Sequence, residues 1–368
     1  MKIGVNLIQY TDVQGIEVFA QNLLASLTRQ ASEHEFIFFV NQESAKIFNS
    51  SVGKARMITK SFKKLSKLRL IAYQQFGLIR AMRQEKIDWL YCPSTAAPIF
   101  YARKIVTIHD CAALRFKEEA DLISRFYLRA VFWSVKYWSS QIVTVSDFAK
   151  QEIIDLLKVP AEKITVIFEG VPLVAAVSHD QAEAILRKFE LLNKSFFFFI
   201  GNLRPRKNMP RLLEAWTDFF SSHQNFSLVI AGKGSDRIDK KFGADQQITC
   251  LGIISEAEKA ALYQGAVALV FPSLYEGFGL PILEAQSFGV PVLTARIGAL
   301  PEVAGTGALF IDPYDSKAIV GGLAEIISPR FPRSDFIDNG YQNLKRFSWD
   351  KSAQALLEVI NSGHQQSI

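Results

Sequence analysis

Residues Val267 to Leu293 read VALVFPSLYEGFGLPILEAQSFGVPVL, and the fold follows from how this stretch must run. Ala268 to Phe271 is a short apolar run bounded by turn residues, the pattern of a buried strand. Pro281 suits the first turn of a helix, and Gly289 followed by Pro291 suits its end, which predicts a helix from Pro281 to Phe288. Glu276 to Leu280 is then the loop that feeds it. Strand, loop and helix form the repeating unit of a parallel doubly wound sheet, whose ligands bind at loops beyond the carboxyl ends of the strands.

The same alternation extends in both directions. Ahead of it, Phe196 to Ile200, Ser227 to Ala231 and Ile248 to Leu251 read as strands, and after it Val292 to Thr294 and Leu309 to Ile311. An earlier series comprises Lys2 to Ile8, Phe36 to Val40, Trp89 to Tyr91, Ile105 to Ile108 and Ile142 to Val145, again separated by helical patterns such as Glu17 to Leu27. Between the series, Glu169 to Gln181 (EGVPLVAAVSHDQ) lacks periodicity and carries Gly170 and Pro172. The chain is thus an α/β protein of two Rossmann-like halves, consistent with a length of 368 residues.

Hydrophobic residues make up 49% and charged residues 21%, enough apolar material for two cores and too little polarity for disorder. The net charge of +6 favours anionic partners. Cys92, Cys111 and Cys250 form no CxxC pair and no cluster with histidine, so each reads as a small buried residue. The start is too quickly polar for a signal peptide and no apolar run would span a bilayer, which places the chain in the cytosol, touching a membrane at most. Between Ser44 and Gln84 stand ten basic residues, from Lys46 to Arg83, and no acidic one. That stretch is either a surface for anionic lipid or a solvated face. Nucleic acid is disfavoured because no nucleic-acid-binding motif accompanies the charge.

Glycines at 277 and 279 let backbone amides approach an anion, and the following helix N-terminus adds positive potential. Glu276 and Glu284, at the two ends, can each accept hydrogen bonds from paired hydroxyls, which sugars and riboses offer and phosphates do not. The segment therefore suits a sugar–diphosphate–ribose ligand. Taken alone, the spacing of the two glutamates would also fit an ordinary turn.

The stretch EGFGLPILE resembles the signature of glycosyltransferase family 4, and the resemblance covers most of the chain. It implies a GT-B fold, two Rossmann-like domains facing each other across a cleft, and a retaining, metal-independent transferase. It also implies that Glu276 holds hydroxyls of the transferred sugar and Glu284 those of the ribose, with Gly277, Phe278, Gly279 and Leu280 along the sugar and diphosphate. GNLRPRKN (Gly201 to Asn208), directly after a strand, resembles the family's basic loop, so Arg206 and Lys207 are the expected diphosphate clamp. No Asp-x-Asp motif occurs in the chain, so no metal or other cofactor is expected.

In VTIHD (Val106 to Asp110), His109 resembles the family's strand-end histidine, which faces the donor sugar. Ser146 in TVSDFAKQEI can cap a helix. Relatives carry a Gly-Gly pair near the amino end; here it is Gln14-Gly15, leaving Gly15 for the close approach. LGIISEAEKAALYQGA (Leu251 to Ala266) resembles the base-binding turn and helix, with Ile254 at the base and Leu262 packed on it. RFSWDKSAQAL (Arg346 to Leu356) resembles the segment from which a terminal helix returns to the first domain. The expected domains are residues 1–172 with 350–368, and residues 173–349.

The expected reaction is sugar transfer from a UDP-sugar or GDP-sugar to an acceptor hydroxyl on a lipid-linked or oligosaccharide acceptor. UDP-glucose is the first reading of the donor and GDP-mannose its rival. A nicotinamide oxidoreductase is disfavoured because no G-x-G-x-x-G follows an early strand. A non-catalytic sugar-nucleotide-binding subunit is the other alternative.

Overall fold

The structure, a computed structural model, describes residues 1–10, 15–31, 33–49, 53, 55–60, 67–116, 121–138, 141–171, 174–238 and 247–365. Gln14, Pro172, and Lys54, Lys63 and Lys64 of the basic stretch lie outside the described residues. The chain divides into two compact units, Met1–Gly170 with Phe347–Ile368, and Val171–Arg346.

The first unit holds β1 (Lys2–Asn6), β2 (Glu35–Asn41), β3 (Arg56–Lys60), β4 (Trp89–Cys92), β5 (Lys104–Ile108), β6 (Gln141–Thr144) and β7 (Ile164–Val166). They form one parallel sheet in the order β3-β2-β1-β4-β5-β6-β7. The second holds β8 (Ser195–Ile200), β9 (Phe226–Ala231), β10 (Ile248–Gly252), β11 (Ala268–Phe271), β12 (Val292–Ala295) and β13 (Ala308–Ile311), parallel in the order β10-β9-β8-β11-β12-β13. Each sheet thus reverses its order once, between β1 and β4 and between β8 and β11. At such a reversal the loops diverge and leave a crevice beyond the strand ends.

Central strands read as continuous apolar runs because helices cover both faces. Phe196, Phe197, Phe198 and Phe199 of β8 are all buried, and the helix Met209–Phe220 lays Leu212, Trp216 and Phe219 on them, with Trp216 and Phe197 ring centres 6.0 Å apart. Each such side chain contributes about 1.5–3 kcal/mol by leaving water. β3 (RMITK) and β7 (ITV) were not among the predicted strands. β3 is a polar edge strand within the basic stretch, and β7 is too short to show a period.

The terminal helix Trp349–Gln365 belongs to the first unit and packs on the helix Gly15–Gln30. Ser26, Arg29 and Gln30 all bond the Asp350 carboxylate. Trp349 meets Phe19 edge-on at 5.9 Å, and Ser352 donates to the Phe168 carbonyl at 2.6 Å. Gly170 lies so close to Trp349 that an added Cβ would stand 2.5 Å from its backbone nitrogen. Gly170→Ala is expected to destabilise the first unit by roughly 1–3 kcal/mol through overpacking; a thermal or urea unfolding midpoint equal to that of the unsubstituted chain would contradict this contact.

Candidate functional site

In the second unit, the loop after β8 and the loop after β11 meet at the order reversal. A 3-10 turn over Pro205–Lys207 follows β8, and Asn208 closes it in the left-handed region at φ 60°. The Asn208 side chain donates to the carbonyls of Pro272 and Pro313 at 3.1 and 2.7 Å, and Leu274 N donates to the Arg206 carbonyl at 2.7 Å. These bonds fix the β8 loop against the loops that follow β11 and β13. The helix after β11 runs Leu280–Ser287, one residue earlier than predicted, with Gly279 before it at φ 120°. A Cβ there would also approach the Leu300 side-chain tip at 3.0 Å, a tight contact that adds to the backbone's preference for glycine.

Glu276 stands where these loops join. Its carboxylate accepts from Lys207 Nζ at 2.5 Å and Arg206 Nη1 at 3.3 Å, with all three side chains largely buried. Lys207 also lies 4.6 Å from the centre of the Phe271 ring. Burial alone would raise the Glu276 pKa, but the Lys207 and Arg206 charges outweigh it and hold the carboxyl below its ordinary range. Two cations against one carboxylate leave the cluster with one net positive charge. Sequence reasoning gave Arg206 and Lys207 to a phosphate and Glu276 to a sugar; the structure shows the three as one ion-paired group.

Glu284, one helical stretch further on, is also buried and accepts from Lys259 Nζ at 2.8 Å and Tyr263 Oη at 2.9 Å. Both donors sit on the helix Glu256–Gly265, opened by a Ser255–Glu258 capping box. For Lys259, burial works against the charged form, yet Glu284 and Glu256 raise its pKa. Lys259 and Tyr263 were not read from the sequence, although their helix was. Leu262, on that helix, is fully buried in the hydrophobic core, so its side chain packs inward rather than presenting itself to a base. Ile254 packs against the same core and its neighbour Ile253 is exposed.

In the first unit, His109 follows β5. Its Nε2 stands 3.0 Å from the Pro93 carbonyl and its Nδ1 3.5 Å from Glu169 Oε1, while Phe19 meets the ring edge-on at 4.6 Å. A carbonyl only accepts, so Nε2 carries a proton, and a carboxylate at Nδ1 favours a second. Burial disfavours the imidazolium, but Glu169, Pro93 and Asp110 together raise the His109 pKa above its ordinary 6.5. The sequence marks Glu169 only as the start of an aperiodic stretch between the two series, and its partnership with His109 arises only through the fold. Ser146 accepts from Ala149 N at 3.0 Å as a helix cap, and Asp110 accepts from Ala112 N at 3.0 Å. Gly15 opens a helix in which an added Cβ would meet nothing within 4 Å. Burial pushes the Cys92 and Cys111 thiols up to about 12, the opposite of activation, and Cys250 is half-buried rather than buried.

Among the described residues, no group of three or more His, Cys, Asp and Glu is placed to hold a metal ion, and no helix is long and apolar enough to cross a membrane.

Residues 181–343 match the family described as glycosyl transferases group 1, and residues 13–191 match Glycosyltransferase Family 4. O-antigen chain mannosyltransferase B of Escherichia coli is 30% identical over 73% of this chain and 73% of its own length. O-antigen chain mannosyltransferase RfbU of Salmonella typhimurium is 25% identical over 73% and 74%. Two solved structures share the fold. Anabaena HepE in complex with UDP-glucose has a TM-score of 0.77 at 17% identity over 98% of this chain and 100% of that one. WaaG, a glycosyltransferase involved in lipopolysaccharide biosynthesis, has 0.77 at 13% over 97% and 99%.

Replacing Glu169 by Gln removes the charge that holds the His109 proton while leaving the burial that opposes it. The His109 pKa, followed by the imidazole proton shifts and assigned by their loss in His109→Asn, is expected to fall in Glu169→Gln. An unchanged titration would mean that Glu169 does not govern His109.

Proposed function

The chain belongs to glycosyltransferase family 4, and on that premise we propose that it transfers mannose from GDP-mannose to a hydroxyl of a growing polysaccharide or lipid-linked oligosaccharide. The observation that carries the donor site is the meeting of Arg206, Lys207 and Glu276 at the order reversal of the second sheet. A diphosphate suits a buried cluster with a net positive charge beside the amides of Gly277 to Leu280 and a helix N-terminus. Mannose is favoured over glucose because the relatives named above as O-antigen mannosyltransferases are 30% and 25% identical to this chain over 73% of its length. The likeness to the UDP-glucose complex is one of fold.

In this reading Lys207 and Arg206 take the diphosphate, and Glu276 keeps their charges in place while accepting hydroxyls of the sugar. Glu284, held rigid by Lys259 and Tyr263, takes the ribose hydroxyls. His109, backed by Glu169, orients the sugar. Leaving-group charge is met by side chains and helix dipole with no metal. The acceptor is deprotonated on the same face by the departing diphosphate, so the anomeric configuration is retained.

GDP release from GDP-mannose in the presence of acceptor is the test of the donor. Lys207→Ala is expected to lower kcat by about 10²–10³, the cost of removing one group that stabilises developing charge. Glu284→Ala is expected to raise KM for the donor by about tenfold or more with a smaller change in kcat. Faster turnover of UDP-glucose than of GDP-mannose would overturn the choice of donor, and normal donor affinity in Glu284→Ala would overturn the ribose assignment.

A further inference from the structure

The helix Leu122–Trp138 of the first unit faces two ways. Its inner side buries Val131, Phe132 and Val135, and Ser134 there accepts from the buried Lys104 at 2.9 Å. Its outer side carries Leu122, Phe126, Arg129, Trp133 and Tyr137, spaced by three and four residues, so they form one stripe along the helix. The four apolar members are 68%, 69%, 50% and 56% exposed. At the carboxyl end the stripe widens into a cluster of rings, with Trp133 5.6 Å from Tyr137 and 6.1 Å from Trp138, and Trp138 5.1 Å from the exposed Phe100. A contiguous exposed patch of this kind on a soluble surface marks an interaction face.

The charges say what the face meets. Arg125, Arg129 and Lys136 lie on the helix, and no acidic residue occurs between Leu122 and Trp138. The adjoining Asp121 is ion-paired with Lys67, which belongs to the acid-free stretch before Gln84. Indole and phenol rings prefer the boundary between headgroups and hydrocarbon, and cations beside them meet lipid phosphates. The helix has one face committed to the protein interior, so it suits lying on a bilayer. At 17 residues it would lie over about 25 Å of surface.

We propose that the helix Leu122–Trp138 docks the first unit on an anionic lipid bilayer, with its aromatic stripe at the headgroup boundary and its cations on lipid phosphates. The proposal stands independently of the donor assignment and goes beyond it.

The test is flotation of the full chain with vesicles of phosphatidylcholine alone and of phosphatidylcholine with phosphatidylglycerol. The chain is expected to float with the anionic vesicles and to be released by salt. The triple variant Arg125→Gln, Arg129→Gln, Lys136→Gln is expected to partition roughly a hundredfold more weakly, about fivefold per cation. The variant Phe126→Ser, Trp133→Ser, Tyr137→Ser is expected to stop floating while keeping the circular dichroism and cooperative thermal unfolding of the unsubstituted chain, which shows that it is folded. In the unsubstituted chain, brominated anionic lipid is expected to quench tryptophan emission, and the quenching is expected to drop in Trp133→Phe. Equal flotation with neutral and anionic vesicles, undiminished flotation of either triple variant, or quenching unaltered in Trp133→Phe would overturn the proposal. So would a dimer in solution that floats with neither vesicle and is dissociated by the serine variant, since the stripe would then be covered by a second copy.

Discussion

The pairing of Lys207 with Glu276 is the interaction on which the second unit's site depends. It ties the loop after β8 to the loop after β11 at the one place where the sheet changes direction. A buried ion pair is a poor source of stability, because both charges lose their water and the attraction between them roughly offsets that loss. Its worth here is positional. With Arg206 beside it, the pair keeps two cations fixed and desolvated, so that in the proposed donor site a diphosphate would meet charge that needs little reorganisation.

The same logic organises the rest of the segment. Gly279, in the left-handed region, turns the chain directly into a helix whose first amides follow the Glu276 carboxylate by a few residues. Glu284, on the buried side of that helix, is braced by a lysine and a tyrosine from the neighbouring helix. In the first unit a second buried carboxylate, Glu169, braces His109. Three times, then, a buried acidic group is held by partners that arrive from elsewhere in the sequence, which fixes its direction before any ligand is present.

Much of this was legible beforehand. Strands of parallel sheets are apolar on both faces, so FFFFI and VALVF announced themselves, and the Pro281 and Gly289 signals set the helix to within one residue. The polar edge strand β3 and the three-residue β7 carried no such signal. The candidate residues were singled out by the family resemblance rather than by spacing alone, and their partners were not: Glu169, Lys259 and Tyr263 reach His109 and Glu284 only through the fold. Helical periodicity also gives apolar positions without saying what covers them. Leu262, expected against the base, is fully buried in the core, while the apolar stripe from Leu122 to Tyr137, which no motif marks, is exposed.

In the proposed mechanism Lys207 and Glu276 act as one unit on the donor. A double-mutant cycle on kcat/KM with Lys207→Ala, Glu276→Ala and the pair together measures this most directly. Strong non-additivity is expected, the double variant losing far less than the product of the two single losses, because either single change already dismantles the charge arrangement. Independent, multiplicative losses would contradict it.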